Sequence, residues 1–293
     1  MRILTIAALS ALLIFSAAYS NDVQAAEVTT PPGALPESLT VAPDGTLILG
    51  SASSPKIYRA KKGTTTAEVW IDVSKEIPKG AFLGVLADPG SNTLWACQIN
   101  DGLPADGRKS TLRGFDLKTG ATKSRWDLPS ETNLCNDIVV APDKSLYVTD
   151  TFRGRIWNVK PGGTEATLVI DNMRYLFGVD GIDFLNGQLY VNTVFAGNLY
   201  RVNIDAQGKG TITEIFMDRL VKNPDGMRFG NGKLFAAESV GGRVHYLTIK
   251  GDTATVTVIK EGLKAPTAVQ PFGNEIWIAE RGGDKASTVP MPK

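Results

Sequence analysis

The sequence predicts an all-β fold, a six-bladed β-propeller with four-stranded blades, and two observations support that prediction. Six segments share one pattern: a polar residue, an alternating apolar run, a turn, and a Leu or Ile that opens a second strand. They start between 42 and 52 residues apart. No stretch of ten or more residues has a convincing helical period, which excludes helical solenoids. The segments start at Glu37, Gly84, Asn136, Asp180, Asp225 and Thr267.

Each repeat carries the strand and turn signals of a propeller blade. Residue pairs that tolerate positive φ, such as Asp44-Gly45, separate the first two strands. Residues 155–159 are typical of a third strand, and residues 211–216 of a fourth. Four strands in each repeat indicate a blade. A β-sandwich also uses many short strands, but it does not require six matched repeats.

The N-terminal 25 residues predict a secretory signal peptide. An apolar stretch from Ile3 to about Ala18 follows a basic residue, and small residues stand at a cleavage-like position near Ala25. The stretch is short for a membrane span, and no second stretch of spanning length follows. We therefore expect residues 1–25 to be removed and residues 26–293 to form one propeller. The mature protein is expected to be exported, either periplasmic or secreted.

The sixth repeat lacks a predicted fourth strand. We expect the residues around Glu27 to Thr30, at the start of the mature chain, to supply it. This pairing would close the ring.

The charge balance argues against nucleic acid as a partner. The chain has 31 basic and 30 acidic residues and no long Lys/Arg run. Its hydrophobic content, 43%, is sufficient for a core that forms without a partner. We expect a small-molecule substrate, no membrane span, and a monomer, because the blade-edge strands are short and charged.

Six side chains are predicted to converge on the axis at one end of the ring. Each stands nine or ten positions before the apolar residue that opens the second strand of its repeat. Four of them, at positions 37, 136, 180 and 225, offer the carboxylate and amide oxygens that calcium prefers. Three carboxylates that face one another repel unless a cation or a shared proton compensates them. We therefore predict metal binding by Glu37, Asn136, Asp180 and Asp225, with polar lining of a channel as the alternative.

The ligand set indicates calcium, with another divalent cation possible. His245 is the only histidine and lies in a predicted third strand, away from the axial column. Zinc, copper and non-haem iron sites usually need imidazole or thiolate. No G-x-S-x-G motif accompanies a serine nucleophile. We expect His245 to be a packed or half-exposed strand residue.

The chain has two cysteines, which allow one disulfide. Cys97 ends a second strand of the second blade, and Cys135 directly precedes Asn136 in the third. Both positions are expected in neighbouring blades at the end of the ring where the six axial side chains converge. We call this end the mouth. An exported protein can keep such a pair as a disulfide. Two buried thiols are the alternative.

The chain resembles the regucalcin and gluconolactonase family, also called the senescence marker protein family. It is more distantly similar to diisopropyl fluorophosphatase, paraoxonase and strictosidine synthase. The similarity spans nearly the whole mature chain and is carried by PES at 36–38, CNDIVVAPD at 135–143, LYVTD at 146–150 and NPDGM at 223–227.

The resemblance implies a calcium-dependent six-bladed propeller with one catalytic metal. Glu37, Asn136 and Asp225 match metal-binding positions of the family. The family most often has Asn where this chain has Asp180, and the difference adds a negative charge to the site. Gly84 brings no ligand and is expected to leave room for substrate.

Family resemblance further implies a metal-dependent hydrolase of a lactone or related ester, with Asp225 as the catalytic residue. Substrate contacts in the family include polar residues of the second and third blades. The candidates here are Gln98, Asn100, Asp101 and Arg153, although the polarity of surface loops would also explain them. Two other functions stay open: a non-catalytic propeller with a structural calcium that binds a small molecule or protein, and a phosphotriesterase or strictosidine-synthase-like activity.

Overall fold

The computed structural model describes residues 25–100, 109–129 and 133–292, and these residues are almost entirely β-strand and turn. The predicted signal peptide, residues 1–25, lies outside these ranges except for its last residue, and so does Asp101. Helical structure in these ranges is limited to α1 (Met173–Leu176) and a 3-10 turn (Arg281–Gly283). No helix of the described chain is long and apolar enough to cross a membrane.

The described residues form 24 strands, which we group into units 1 to 6. Unit 1 contains β2 (Pro36–Val41), β3 (Leu47–Ser51), β4 (Lys56–Ala60) and β5 (Glu68–Asp72). Unit 2 contains β6 (Ala81–Asp88), β7 (Thr93–Ile99), β8 (Ser110–Asp116) and β9 (Thr122–Asp127). Unit 3 contains β10 (Cys135–Val140), β11 (Leu146–Asp150), β12 (Arg155–Val159) and β13 (Thr167–Asp171).

The second half of the chain repeats this organisation. Unit 4 contains β14 (Val179–Leu185), β15 (Gln188–Thr193), β16 (Leu199–Ile204) and β17 (Gly210–Met217). Unit 5 contains β18 (Pro224–Gly230), β19 (Lys233–Glu238), β20 (Arg243–Lys250) and β21 (Thr253–Lys260). Unit 6 contains β22 (Pro266–Phe272), β23 (Glu275–Glu280) and β24 (Lys285–Pro290), together with β1 (Glu27–Thr29) from the start of the chain.

Each unit is an antiparallel meander, and β1 completes the last one. Successive strands pair within every unit. β1 pairs antiparallel with β24, with Glu27 opposite Ser287 and Thr29 opposite Lys285. The structure thus confirms that N-terminal residues supply the missing strand of the sixth repeat.

The six meanders are not six separate sheets, which corrects one detail of the predicted architecture. Units 3 and 6 are four-stranded sheets on their own. A single β3–β6 bridge joins units 1 and 2 into an eight-stranded sheet, and a short parallel pairing of β17 with β21 joins units 4 and 5. These connections involve one or two residue pairs, so the meander remains the repeating element.

The units form a closed, propeller-like ring. The first strand of each unit lies against the first strand of the next, and β22 lies against β2. An apolar cluster fills each of the six interfaces between neighbouring units. The core is therefore divided among the interfaces, and the first strands are left to line the axis.

Every first strand has an irregular register near its beginning. In unit 1 the pairing of β2 with β3 is interrupted between Pro36 and Leu39, and the other units have an interruption at the corresponding place. A bulge leaves its residues unpaired and redirects their side chains. The residues released in this way include the whole predicted axial column: Glu37, Gly84, Asn136, Asp180, Asp225 and Thr267.

Shortening Val28 tests the ring closure by β1. Val28 is buried in the cluster between units 6 and 1, so we expect Val28→Ala to lower the free energy of unfolding by about 1.5–3 kcal/mol. Val69 lies on β5 and is 45% exposed, so Val69→Ala should cost less than about 0.5 kcal/mol. Urea denaturation measures both, and equal losses would contradict a closing role for β1.

Candidate functional site

The released side chains surround one small cavity on the ring axis. Glu37, Asn136, Asp180 and Asp225 line it, and each is at most 7% exposed. The space open to the centre of a water molecule is about 10 Å³, close to the minimum that one water molecule needs. The structure therefore brings together the four residues predicted to bind a metal.

Asn136 is fixed in orientation by its neighbours. Its Nδ2 donates to Asp180 Oδ2 at 2.7 Å and to Thr151 Oγ1 at 2.9 Å. The Thr151 hydroxyl donates its own hydrogen to the Val179 carbonyl at 2.8 Å, so it acts as an acceptor toward Asn136. Because both amide hydrogens are used, Oδ1 is the atom that Asn136 can offer to a cation.

Burial and mutual repulsion disfavour the charged forms of the three carboxyls. Burial, and then the Asp225 carboxylate, raise the pKa of Glu37 well above its usual value. Burial, followed by the charges of Asp225 and Glu37, does the same to the pKa of Asp180. Burial raises the pKa of Asp225 to about 7. The cluster thus resists holding three negative charges unless a positive charge accompanies them.

A guanidinium that the sequence analysis missed acts on this cluster. The charge of Arg281 lowers the pKa values of Glu37 and Asp225, against the effect of burial. Arg281 begins the 3-10 turn after β23, and its backbone N–H donates to the Ala265 carbonyl at 3.1 Å. Its position directly after a second strand could have identified it, because second strands end at the mouth in the predicted topology.

A buried ion pair closes the axis below the cavity. Asp137 follows Asn136 in the same bulge and accepts from Arg228 Nη1 at 2.6 Å and from Nη2 at 2.8 Å. Asp137 lines the axial cavity, whereas Arg228 lines a wider opening of about 270 Å³ that belongs to the other end of the axial strands. The pair therefore separates the carboxyl cluster from that opening. Sequence reasoning missed it because Arg228 looks like an ordinary alternating strand residue.

Four of the six bulges are approached through a residue in the left-handed region. Each stands two positions before the axial residue of its unit, and φ lies between 48° and 84°. The four are Leu35, Gly178, Asn223 and Ala265. This conformation costs an ordinary L-residue about 1–2 kcal/mol, and such strain collects where a site fixes the backbone.

Gly84 is required by a close backbone approach. A Cβ at this position would lie 2.2 Å from the Asn136 carbonyl oxygen and 2.9 Å from Asp137 Cα. The backbone of unit 3 therefore occupies the place of a side chain. This replaces the expectation that Gly84 leaves room for substrate.

The predicted substrate-contact residues do not line the axial cavity. Gln98 is fully buried; its Oε1 accepts from Arg113 Nη1 at 2.9 Å, and its Nε2 donates to Asn100 Oδ1 at 2.7 Å. Arg153 is exposed in the turn between β11 and β12. Contact of Gln98, Asn100 and Arg153 with a substrate stays a prediction.

Gln98 belongs to a second repeated column of buried polar residues. Its members are buried and stand four positions after the apolar residue that opens each second strand: Ser51, Gln98, Asp150, Thr193, Glu238 and Glu280. Asp150 Oδ1 accepts from the Leu134 N–H at 2.8 Å, and Glu280 Oε2 from the Lys264 N–H at 3.0 Å. These two bonds tie the loop before the first strand of a unit to its second strand, so the fold accounts for the polarity of Asp150 and Glu280.

The two cysteines are bonded on one side of the site. Cys97 in β7 and Cys135 in β10 form a disulfide with Cα atoms 5.2 Å apart. The Cys135 N–H also donates to Ser110 Oγ at 3.0 Å. Units 2 and 3 are thus linked directly beside Asn136.

His245 is a buried neutral residue outside the cavity. Burial, and then the charge of Arg219, lower the pKa of His245 to about 3. Its Nδ1 has no hydrogen-bond partner among the described residues. This environment agrees with the expectation of a packed strand residue.

The donor chemistry of the cavity fits a hard divalent cation. Carboxylate and amide oxygens are calcium ligands, and His and Cys side chains do not line the cavity. The carboxyls are not gathered into a ready-made site, since no three His, Cys, Asp and Glu side chains of the described chain are grouped closely enough to hold a metal.

Comparisons with known proteins show a fold and no sequence family. No protein-family profile matches the chain, and no curated protein matches it in sequence. A protein to which gluconolactonase activity has been provisionally ascribed is 17% identical with a TM-score of 0.69, and the alignment covers 92% of this chain and 93% of that one. A catalytically inactive variant of virginiamycin B lyase from Staphylococcus aureus, with quinupristin, is 20% identical with a TM-score of 0.65, covering 89% and 82%.

A third similar structure is the PQQ-bound aldose sugar dehydrogenase from Streptomyces coelicolor. It is 16% identical with a TM-score of 0.61, and the alignment covers 90% of this chain and 97% of that one. At these identities the likeness is one of fold. Different chemistries share this fold, so the reaction has to be argued from the site.

Chelator-treated protein should lose stability as the pH rises. The pKa of Asp225 is raised from 3.8 to about 7 in the fold, so the folded protein holds this proton more tightly than the unfolded chain does. That contribution is present below about pH 4 and is lost as the pH rises through about 7. We expect the melting temperature to fall between about pH 5 and pH 8, and to fall less in Asp225→Asn. Equal profiles for the two proteins would contradict the assignment.

Relief of backbone strain at the mouth should stabilise the protein. Ala265 has a φ of 49°, and glycine adopts this conformation without a Cβ penalty, so Ala265→Gly should raise the free energy of unfolding by about 0.5–1 kcal/mol. Ala279 is fully buried in β23, and Ala279→Gly should lower it by at least about 1 kcal/mol. Urea denaturation distinguishes the two, and destabilisation by both would contradict the strain at position 265.

Proposed function

We propose that this protein is a metal-dependent hydrolase of a lactone or related ester and that calcium is its preferred ion. The main support is the convergence of Glu37, Asn136, Asp180 and Asp225 on one buried axial cavity. Burial of three carboxyls around so small a cavity costs free energy, because their charged forms lose hydration. Clusters of this kind are typical of functional sites.

We interpret each unit as one blade of a six-bladed propeller of the regucalcin and gluconolactonase type. The closed ring of first strands and the six apolar interfaces support this interpretation. The fold likeness to a protein with an ascribed gluconolactonase activity agrees with it.

The proposed ion would be held by the carboxylates of Glu37, Asp180 and Asp225 and by Asn136 Oδ1. A divalent cation supplies Lewis acidity toward a carbonyl oxygen when it is bound. Asp180 would add charge at a position where the related family most often has Asn. Its hydrogen bond from Asn136 keeps one of its oxygens engaged and Oδ1 of Asn136 available.

Asp225 is the proposed catalytic residue. The Asn192 amide donates to its backbone carbonyl at 2.7 Å, which fixes the bulge that presents its side chain. Its carboxylate would orient a water molecule toward the substrate carbonyl carbon and accept a proton from it. The water oxygen bonds to that carbon, the ester C–O bond breaks, and the proton passes to the leaving alkoxide.

Two further groups would shape the reaction. The charge of Arg281 favours the charged forms of Glu37 and Asp225, which are the forms that would hold a cation. The ion pair of Asp137 with Arg228 closes the axis on the far side. Substrate would therefore approach from the mouth.

The small cavity favours one alternative, a structural ion in a non-catalytic propeller. A space of about 10 Å³ accommodates a water or an ion but no ester, so a hydrolase must bind most of its substrate above the cavity, at the mouth. A structural ion would stabilise the ring without turnover.

A phosphotriesterase or strictosidine-synthase-like activity would use the same carboxyl cluster. We also propose that the mature protein is exported and monomeric.

Neutralising Asp225 should separate these functions. Mature protein is assayed on an aldonolactone, an alkyl lactone and a phosphotriester, with calcium and after chelation. We expect calcium-restored turnover of a lactone that falls at least about 100-fold in Asp225→Asn. Asp183→Asn is the matched control, because Asp183 is also a carboxyl of raised pKa but lines the opposite opening. It should retain most of the activity.

The same assay identifies the competing functions. Turnover of the phosphotriester alone would replace the lactonase assignment. Absence of turnover, together with a calcium-dependent rise in melting temperature, would favour the structural ion. Lactone hydrolysis that survives complete chelation would contradict the metal-dependent mechanism.

A further inference from the structure

Three phenylalanine rings lie together at the mouth, between units 3 and 4. We call Phe152, Phe177 and Phe195 the Phe cluster. The rings of Phe152 and Phe195 are nearly parallel with centroids 6.4 Å apart, and the Phe177 ring lies 5.1 Å from that of Phe195. Phe177 is 42% exposed and Phe195 is 53% exposed. The cluster therefore presents apolar ring surface to solvent.

The Phe cluster is built on the backbone that leads into the axial site. The Gly178 N–H donates to the Thr151 carbonyl at 2.9 Å, and the Val194 N–H donates to the Gly178 carbonyl at 2.8 Å. The three rings belong to the residues that adjoin these hydrogen-bonded groups. The Phe195 ring lies directly on Gly178, where a Cβ would meet it at 2.5 Å. Gly178 stands two residues before Asp180. The backbone segment that contacts the three rings therefore also carries this carboxylate.

Thr151 connects the Phe cluster to a second axial residue. Its hydroxyl accepts from the Asn136 amide at 2.9 Å, and Phe152 is the next residue in the chain. Phe152 also packs against the buried cluster of Ala81, Leu83, Ile99 and Leu134. Phe152 is thus anchored in the core on one side and contacts the exposed rings on the other.

Exposed apolar side chains are concentrated at the mouth end. Seven of the ten large exposed hydrophobic residues in the described chain lie in connections that precede a first strand or follow a second strand. These connections meet at the end of the ring where the axial residues lie. The seven are Leu35, Met173, Tyr175, Phe177, Phe195, Leu220 and Val240. Apolar surface gathered beside a polar site is typical of ligand contact.

We propose that the Phe cluster binds an apolar alkyl or aryl group of the substrate. The substrate class is then an ester or lactone with a hydrophobic substituent rather than a polyhydroxylated sugar lactone. This inference rests on the proposed hydrolase function for the identity of the reacting group. Sugar hydroxyls against these rings would lose hydrogen bonds to water without gaining others, whereas an alkyl chain would be favourably buried.

Continuity with the axial site favours a substrate over a membrane surface or a protein partner. The rings stand within three residues of Asp180 in the chain, or on elements hydrogen-bonded to that segment. A group bound there would be attached to a carbonyl held over the cavity. This arrangement lets apolar contact position the reacting bond, since binding energy from a remote group can be used at the reacting centre.

The inference is tested with lactones that share one ring and differ in alkyl length. Mature wild type, Phe195→Ala and Phe177→Ala are assayed with calcium on γ-valerolactone, γ-undecalactone and gluconolactone. We expect wild type to have its highest kcat/KM on γ-undecalactone. Each variant should lower the ratio of kcat/KM for the long lactone over the short one by about tenfold. Phe272→Ala is the control, because Phe272 is 38% exposed at the far end of β22, and its ratio should not change.

Binding of a lactam isostere makes the test independent of turnover. 5-Heptylpyrrolidin-2-one is titrated calorimetrically into the same proteins, and melting temperatures verify that each is folded. We expect saturable binding that weakens about tenfold in Phe195→Ala and is unchanged in Phe272→Ala. Such binding without any lactone turnover would refute the hydrolase function and support the apolar ligand.

Three results would overturn the inference. The first is hydrolysis with gluconolactone as the best substrate and a chain-length ratio that the Phe variants leave unchanged, in which case the hydrolase function stands. The second is absence of lactam binding by the folded wild type. The third is loss of vesicle binding in the variants with an unchanged chain-length ratio, which would assign the rings to a lipid surface.

Discussion

The interrupted pairing at the start of six first strands is the constraint on which the site depends. A regular strand would send successive side chains alternately to its two faces, into the interfaces between units. The bulges release one or two residues per unit from that alternation, and the ring then points them at a common axis. The site is thus produced by six bulges that the closed ring places around one axis.

The cost of this arrangement is electrostatic, and the structure compensates it unevenly. Asp137 has a bidentate guanidinium partner, and its charge is balanced within the protein. Glu37, Asp180 and Asp225 have raised pKa values and only the more distant influence of Arg281. Two adjacent layers of the axis therefore differ: one is a closed ion pair, and the other is a group of carboxyls whose charged forms are disfavoured by burial.

Features determined by local sequence could be predicted, and those determined by distances between units could not. The turn residues and the alternating apolar runs predicted the meanders. The alignment of the six repeats predicted the axial residues that the structure brings together. Gly84 was misinterpreted because its requirement comes from the backbone of unit 3. Gln98 has the polarity expected of a mouth residue, but its burial and its bonds to Arg113 and Asn100 could not be read from the sequence. Arg228 was missed because its partner Asp137 lies 91 residues away in the chain.

The pairing of β1 with β24 has a consequence for the order of events during synthesis. β1 is synthesised long before its partner, residues 285–290. Until those residues have been added, the Val28 strand has no edge to join, and the interface between units 6 and 1 is open. The axial residues of those two units, Glu37 and Thr267, therefore take their final positions only after β24 has formed. Completion of the site depends on a pairing between strands that are far apart in the chain.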